Sequence, residues 1–161
     1  MIGSCESEKN VTRQGRRAAR GNRLAGEGIV ADLKELRKQS TEMGNELFSV
    51  LDIPFEETTE LQRQLLASFS FGMLFAVGQL NKLTPPEVHA LSIYLLVDVF
   101  KYSEYQAVPF TEVLIASSSG RGNSTINAVI HRGIDGHRQW EGRQMSELKS
   151  NIEDIFKTVG A

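Results

Sequence analysis

Cysteine is nearly absent from this 161-residue chain, since Cys5 is the only one. An intrachain disulfide is therefore excluded, and so is the disulfide framework that stabilises many small secreted domains. Nothing in the cysteine content points to an oxidising compartment, and we expect a cytoplasmic protein. Without disulfides the fold depends on a hydrophobic core, for which a hydrophobic fraction of 40% in a chain of one-domain length is sufficient.

Strand patterns are also missing. No segment shows sustained alternation of apolar and polar residues with hairpin turns, and none repeats with a period of about 20 to 50 residues. The apolar residues instead recur at spacings of three and four, which is typical of amphipathic α-helices. We therefore predict an all-α protein, a single-domain bundle of five or six helices.

Charge is absent from residues 64–81. A run of about 18 uncharged residues is long enough to span a membrane, but this one contains several polar residues and two glycines. We therefore predict a helix buried at the centre of the bundle, and no membrane partner. Ser68, Gly72 and Ala76 follow one another at a spacing of four, so they form a stripe along which another helix can approach closely.

Proline is scarce, and two of the four prolines mark a helix start. Residues 84–87, Thr-Pro-Pro-Glu, combine a capping threonine, a proline at the first helical position and a glutamate suited to a capping box. Pro109 predicts a break before a shorter element over about residues 110–116. The serine- and glycine-rich run 117–122 then predicts a loop.

The basic residues are concentrated at one end of the chain. Residues 1–27 are rich in Gly, Arg, Ser and Asn without periodicity, so they cannot bury enough surface to offset chain entropy. We interpret them as a disordered basic N-terminal tail and residues 28–161 as a helical domain. Residues 1–28 hold six basic and three acidic side chains, which leaves residues 29–161 with a net charge of −5. An acidic domain favours basic partners and argues against nucleic-acid binding by the domain itself.

Acidic residues cluster where the first two helices should meet. Across residues 32–60, eight acidic side chains stand against three basic ones. Such a field can steer a basic partner toward the protein, although most charge runs are simply solvated. We select four of these residues as candidate partner-binding residues: Asp52, Glu56, Glu57 and Glu60.

The densest polar stretch is residues 131–140, His-Arg-Gly-Ile-Asp-Gly-His-Arg-Gln-Trp. His131, Asp135 and Arg138 are spaced to share one helix face. His131 and Asp135, with His89, could bind a transition metal, but the spacing matches no established motif, so we predict no metal and no cofactor. We expect instead that Asp135 orients His131 or pairs with an arginine, and so fixes helix packing.

Signals for catalysis are missing as well. The sequence has no glycine-rich phosphate loop, no nucleophile elbow and no zinc-type spacing. It therefore predicts a protein that binds another protein and is not an enzyme. Two alternatives stay open: a helical nucleic-acid-binding regulator that uses the basic tail, and a metal-dependent enzyme built on His131 and Asp135.

Three stretches, residues 65–74, 83–91 and 127–137, carry a resemblance to a known family. Together they resemble the all-helical immunity proteins of bacterial polymorphic toxin and type VI secretion systems, from about residue 29 to the C-terminus. The most specific part is the motif of residues 131–137, and the basic tail lies outside the resemblance.

The resemblance implies a protein that binds and neutralises a cognate toxin and has no enzymatic activity. It implies that the motif serves either the fold or the toxin contact, without deciding between them, and the motif residues are His131, Arg132, Asp135 and His137. The identity of the toxin and the oligomeric state are left open by the sequence.

Overall fold

The computed structural model describes residues 33–161, and every regular element within that range is helical. The predicted tail of residues 1–27 lies outside the described residues. Residues 36–161 constitute one compact unit. The prediction of an all-α, single-domain bundle of five or six helices is confirmed. The six α-helices are α1 (residues 33–51), α2 (Glu60–Leu80), α3 (Pro85–Asp98), α4 (Glu104–Ser118), α5 (Ser124–Glu141) and α6 (Met145–Val159), with a 3-10 turn at Phe55–Glu57 before α2.

Capping boxes mark the starts of α2 and α3. Thr59 Oγ1 accepts from the Gln62 amide at 3.1 Å, and Gln62 Oε1 accepts from the Thr59 amide at 3.0 Å, so α2 begins with a complete capping box. At α3 the Glu87 carboxylate accepts from the Thr84 amide at 2.7 Å, which confirms the helix start predicted at residues 84–87. Each of these bonds satisfies an amide that the helix leaves unpaired.

The fourth helix differs from the sequence prediction. It begins at Glu104 and continues through Pro109 to Ser118, so the shorter element predicted for residues 110–116 is wrong. Ser103 and Gln106 form a capping box that starts the helix five residues before the proline. A proline in the second turn costs one backbone hydrogen bond, and the helix continues on both sides of it.

Helix α2 lies at the centre of the bundle. Every residue from Leu65 to Gly78 is buried except Phe75, which is partly exposed. The prediction of a buried central helix is thereby confirmed. Within residues 33–161, no helix combines the length and apolar character needed to cross a bilayer.

Glycines bring α2 and α5 into backbone contact. A Cβ atom added at Gly72 would collide with the Ile130 carbonyl oxygen and would lie 2.9 Å from the Cα of Gly133. A Cβ added at Gly133 would in turn collide with the Phe69 carbonyl oxygen. One turn further along α5, the Phe69 ring occupies the space beside Gly136. The predicted close approach along the small-residue stripe is confirmed at Gly72, and α5 is the helix that approaches.

The remaining helices surround this pair. Helix α6 packs on α5 and α2, while α3 and α4 pack against each other and contact α2 and α5 respectively. Helix α1 lies against α3, where Gly44 faces Leu95 and Val99. At the surface of the same contact, Arg37 Nη2 lies 3.0 Å from Asp98 Oδ2. Each peripheral helix is therefore positioned directly or indirectly by the α2–α5 contact.

The glycine contact leads to a prediction with a matched control. Gly72→Ala should lower the free energy of unfolding by roughly 1–3 kcal/mol, because the new Cβ meets rigid backbone. Gly44→Ala introduces the same group into another helix, where the nearest atoms are side-chain carbons of Val99 and Leu95 at 3.1–3.2 Å that can shift. It should change stability by less than about 1 kcal/mol, since helix propensity favours alanine. Urea denaturation measures both, and equal stabilities for the two variants would contradict the backbone contact.

Candidate functional site

The four candidate acidic residues lie at the junction of α1 and α2, three in the connection and Glu60 as the first residue of α2. We call this set the acidic connection: Asp52, Glu56, Glu57 and Glu60. All four side chains are exposed. Asp52 follows the last residue of α1 with a φ of 55°, a left-handed conformation that aspartate tolerates better than most residues. Among residues 33–161, none places a cationic group within 4 Å of Asp52, Glu56 or Glu57.

Glu60 differs from its three neighbours because it joins two parts of the fold. Its Oε1 atom accepts from the Tyr102 hydroxyl at 3.2 Å, and its Oε2 atom lies 3.8 Å from Arg63 Nη1. Burial of the phenol, together with the negative charge of Glu60, raises the pKa of Tyr102 to about 12. Tyr102 stands just before α4, so this bond holds the acidic connection beside the first turn of α4.

The polar motif on α5 is divided between two environments. His131, Asp135 and Arg138 are all exposed, as their shared helix face predicts. Asp135 Oδ1 accepts from Arg138 Nη2 at 2.8 Å, within one helix and with both side chains mostly in solvent. The expectation that Asp135 fixes helix packing is therefore wrong. Its partner is an arginine, as one alternative held, but the pair faces water, where such pairs are worth about 0–1 kcal/mol.

A different pair joins α5 to α6. Arg132 donates from Nε to the side-chain oxygen of Asn151 and from Nη2 to the Asn151 carbonyl at 3.1 Å. The Asn151 amide nitrogen returns bonds to the Arg132 carbonyl at 3.2 Å and to Gln139 Oε1 at 3.0 Å. Asn151 is only 7% exposed, so these bonds satisfy a buried amide. The helix-fixing role expected of Asp135 is performed here.

Sequence reasoning missed Asn151. The available signal was a polar residue inside the apolar stripe of α6, between Leu148 and Ile152, both of which are buried. A polar side chain at such a position requires a hydrogen-bonding partner from a neighbouring helix. The identity of that partner could not be read from the sequence.

A polar groove of about 660 Å³ runs between α5 and α6. Two motif residues, Arg132 and Asp135, lie in its wall. The charges in this wall are mixed, and the full lining consists of polar or charged residues: Arg132, Asp135, Arg138, Gln139, Gln144, Ser146, Glu147, Ser150, Asn151 and Asp154. We refer to it as the α5–α6 groove.

His137 lies on the buried side of α5 and is 4% exposed. Its Nε2 atom has no hydrogen-bond partner within the described residues and lies 3.8 Å from Glu141 Oε1. Burial lowers the pKa of His137, and the charge of Glu141 only partly opposes that effect. A neutral imidazole packed near Trp140, with 6.4 Å between the ring centroids, is a structural group.

The end of α5 is tied to α1 by a second cluster that sequence reasoning missed. The Trp140 indole donates to Glu46, whose other carboxylate oxygen lies 3.1 Å from Arg143 Nη1. Glu46 belongs to the acidic run of residues 32–60, but here its charge is compensated. The partners are nearly a hundred positions apart in sequence, so no local pattern could have indicated them.

The metal-site alternative requires His131, Asp135 and His89 to lie close together. Across residues 33–161, no three side chains of His, Cys, Asp or Glu are grouped closely enough to hold a metal ion. His131 and Asp135 lie on α5, whereas His89 lies on α3. The three residues are thus not brought together.

The architecture just described is that of a small all-helical protein whose exposed polar groups are suited to contact another macromolecule. A comparison with family models matches residues 36–160 to the Immunity protein 48 (Imm48) family. Separate comparisons with curated proteins and with solved structures found no significant match. The family match covers nearly the whole compact unit, and the chain belongs to the Imm48 family. The predicted resemblance to an immunity protein family is confirmed, and with it a general role in neutralising a toxin.

Two substitutions separate the exposed and the buried polar pairs. Asp135→Ala should change the free energy of unfolding by less than about 1 kcal/mol, because it removes a surface pair. Asn151→Ala should lower it by about 1–3 kcal/mol, because it deletes a buried amide and its bonds to α5. Chemical denaturation measures the free energy of unfolding of both variants. A larger loss of stability for Asp135→Ala than for Asn151→Ala would show that Asp135 does fix helix packing.

The buried histidine predicts a pH dependence of stability. The folded state holds His137 with a lowered pKa, whereas the unfolded chain titrates near pH 6.5. The unfolded state therefore binds more protons as the pH falls through about 6.5, so stability present above that pH is lost below it. The free energy of unfolding should decline between pH 7.5 and 5.5, and His137→Gln should flatten this decline. His131→Gln, at an exposed position on the same helix, is the control and should keep the wild-type slope.

Proposed function

We propose that this protein neutralises its cognate toxin as a stoichiometric binding partner and without catalysis. The observation that carries the proposal is the extent of the Imm48 match, which runs over residues 36–160 and so includes all of α2 to α6 and most of α1. Immunity proteins neutralise toxins, and those of this kind are generally not enzymes. The function of the family therefore belongs to the helical unit as a whole.

We propose further that the toxin is an effector of a bacterial polymorphic toxin or type VI secretion system, and that the two proteins meet in the cytoplasm. Support comes from the three stretches whose sequence resembles immunity proteins of those systems. In this proposal residues 28–161 are the functional domain, and binding does not need residues 1–27.

The acidic connection is the proposed contact for the toxin. Three of its carboxylates, on Asp52, Glu56 and Glu57, are exposed and have no cation from residues 33–161 within 4 Å. Carboxylates without an intramolecular partner retain their full attraction for a basic surface. Glu60 holds the connection in place through Tyr102. A basic patch on the toxin is the complementary surface.

The motif residues divide between fold and surface in this proposal. Arg132 and His137 serve the fold, because one bonds to the buried Asn151 and the other is itself buried. His131 and Asp135 are exposed and available for contact. The α5–α6 groove, with its mixed charges, is a second candidate surface that the experiment below separates from the first.

The test neutralises the proposed contact. The combined change Asp52→Asn, Glu56→Gln and Glu57→Gln should slow association with the purified product of the adjacent gene, tested as the toxin, and reduce the salt dependence of the association rate. Stability should be retained, because the three carboxylates have no partner within the described residues. Surface plasmon resonance at several salt concentrations measures the rates, and co-expression measures protection of growth.

The matched control removes the same charge elsewhere. Glu147→Gln, Glu153→Gln and Asp154→Asn change three exposed carboxylates of α6, two of which line the α5–α6 groove. This variant should associate at nearly the wild-type rate. If the control variant associates more slowly while the first variant keeps the wild-type rate, the toxin contact is assigned to the α5–α6 groove instead. No binding by the wild-type protein would remove the proposal itself.

A further inference from the structure

Helix α4 exposes an apolar stripe that the bundle does not cover. At about 100° per residue, Tyr105, Val108, Glu112 and Ile115 lie on one side of the helix, and we call them the α4 face. The exposed fractions of the three apolar members are 91% for Tyr105, 40% for Val108 and 37% for Ile115. The opposite side of α4 is buried through Ala107, Thr111, Leu114 and Ser117. The helix is therefore apolar on both sides, while only one side contributes to the core.

The α4 face leads into an apolar cavity. Ile115 and Ser118 form one wall of a cavity of about 260 Å³, and the other walls come from the end of α2, the start of α3 and the connection between them. The apolar part of its lining includes Phe71, Phe75, Leu83 and Val88. This volume is below the range of about 300–1,000 Å³ typical of small-molecule sites. It suits a single large apolar side chain presented by another protein.

The charged side chains of α4 itself are acidic. Helix α4 contains no lysine or arginine, and its two charged residues are Glu104 and Glu112. The Tyr102–Glu60 hydrogen bond also places the acidic connection beside the first turn of this helix. The surface is therefore apolar apart from Glu112, is acidic at its first turn, and has a cation, Lys82, at the cavity.

The distribution of apolar and charged side chains distinguishes between a second copy of the chain and another protein as the partner of the α4 face. In a symmetric dimer the same patch of both copies meets across a two-fold axis, which would bring the acidic side chains of two α4 faces together. A partner with an apolar protrusion flanked by basic residues satisfies the apolar stripe, the cavity and the carboxylates at once. Fully covered aromatic and aliphatic anchors with a polar rim are the usual composition of such interfaces.

We propose that the α4 face and its cavity form the principal docking surface for the toxin, which inserts a large apolar side chain beside Ile115 and places basic residues against Glu112 and the acidic connection. The proposal rests on the proposed function and adds a second contact to it. In this arrangement the acidic connection speeds association, whereas the α4 face supplies most of the affinity.

The α4 helix offers a matched pair of valines for the test. Val108 belongs to the α4 face, whereas Val113 is 44% exposed and lies about 140° away around the helix. Val108→Asn and Val113→Asn therefore introduce the same uncharged group at equally exposed positions of one helix. Tyr105→Ala removes the most exposed aromatic ring. The probe is the purified product of the adjacent gene, tested as the toxin, and the full chain is titrated with it by isothermal calorimetry.

The expected result is an increase of about tenfold or more in Kd for Val108→Asn and for Tyr105→Ala, with a change below about twofold for Val113→Asn. Melting temperatures identify any loss of folding. Wild-type binding with equal Kd values for all three variants would overturn the α4 face while leaving the proposed function intact. Absence of wild-type binding would overturn both.

Two further measurements address other occupants. Light scattering of the full chain should show the same oligomeric state for wild type and Val108→Asn, and a dimer lost in that variant would assign the face to a second copy. Hydrogen exchange in α4 should be unaffected when Arg16, Arg17 and Arg20 are changed to glutamine. Faster exchange in that variant would assign the face to the chain's own basic segment and overturn the proposal.

Discussion

The rest of the structure depends on the contact between the backbones of α2 and α5. Gly72 and Gly133 have no side chains, and the carbonyls of Phe69 and Ile130 occupy the space that Cβ atoms would need. Contact this close fixes the rotation of α5 about its own axis as well as its distance from α2. Side chains can adapt to a misplaced neighbour, but backbone cannot. The orientation of α5 is therefore set by two glycines.

That orientation determines which motif residues face inward. With Gly133 against α2, His137 also turns toward the interior, whereas His131 and Asp135 turn to solvent. Arg132 is directed toward α6, where it meets the buried Asn151. The motif is thus one helical segment with a buried inner side and a solvent-exposed outer side.

The fold could be predicted further than the site, because helix type and helix start are local properties. The buried run of residues 65–78 and the start at residues 84–87 follow from periodicity and capping. Periodicity shows that His131 and Asp135 share a face, but not whether another helix covers it, and that is why the role of Asp135 was predicted wrongly. Asn151 and the α4 face depend on contacts distant in sequence. The close helix approach at Gly72 could be predicted from the sequence, because a glycine inside an apolar helix usually has a packing reason.

The protein is a helical unit that presents two surfaces near the start of α4: the acidic connection and the apolar α4 face. Such a unit fits the general role of the Imm48 family, and our proposal is that it neutralises the toxin by binding to it. The most direct measurement of that claim is the residual activity of the toxin during titration with the purified protein. The account predicts a linear fall that reaches zero at a fixed molar ratio, together with a complex of the same stoichiometry. Complete inactivation by a small fraction of an equivalent would contradict it, because turnover would then be required.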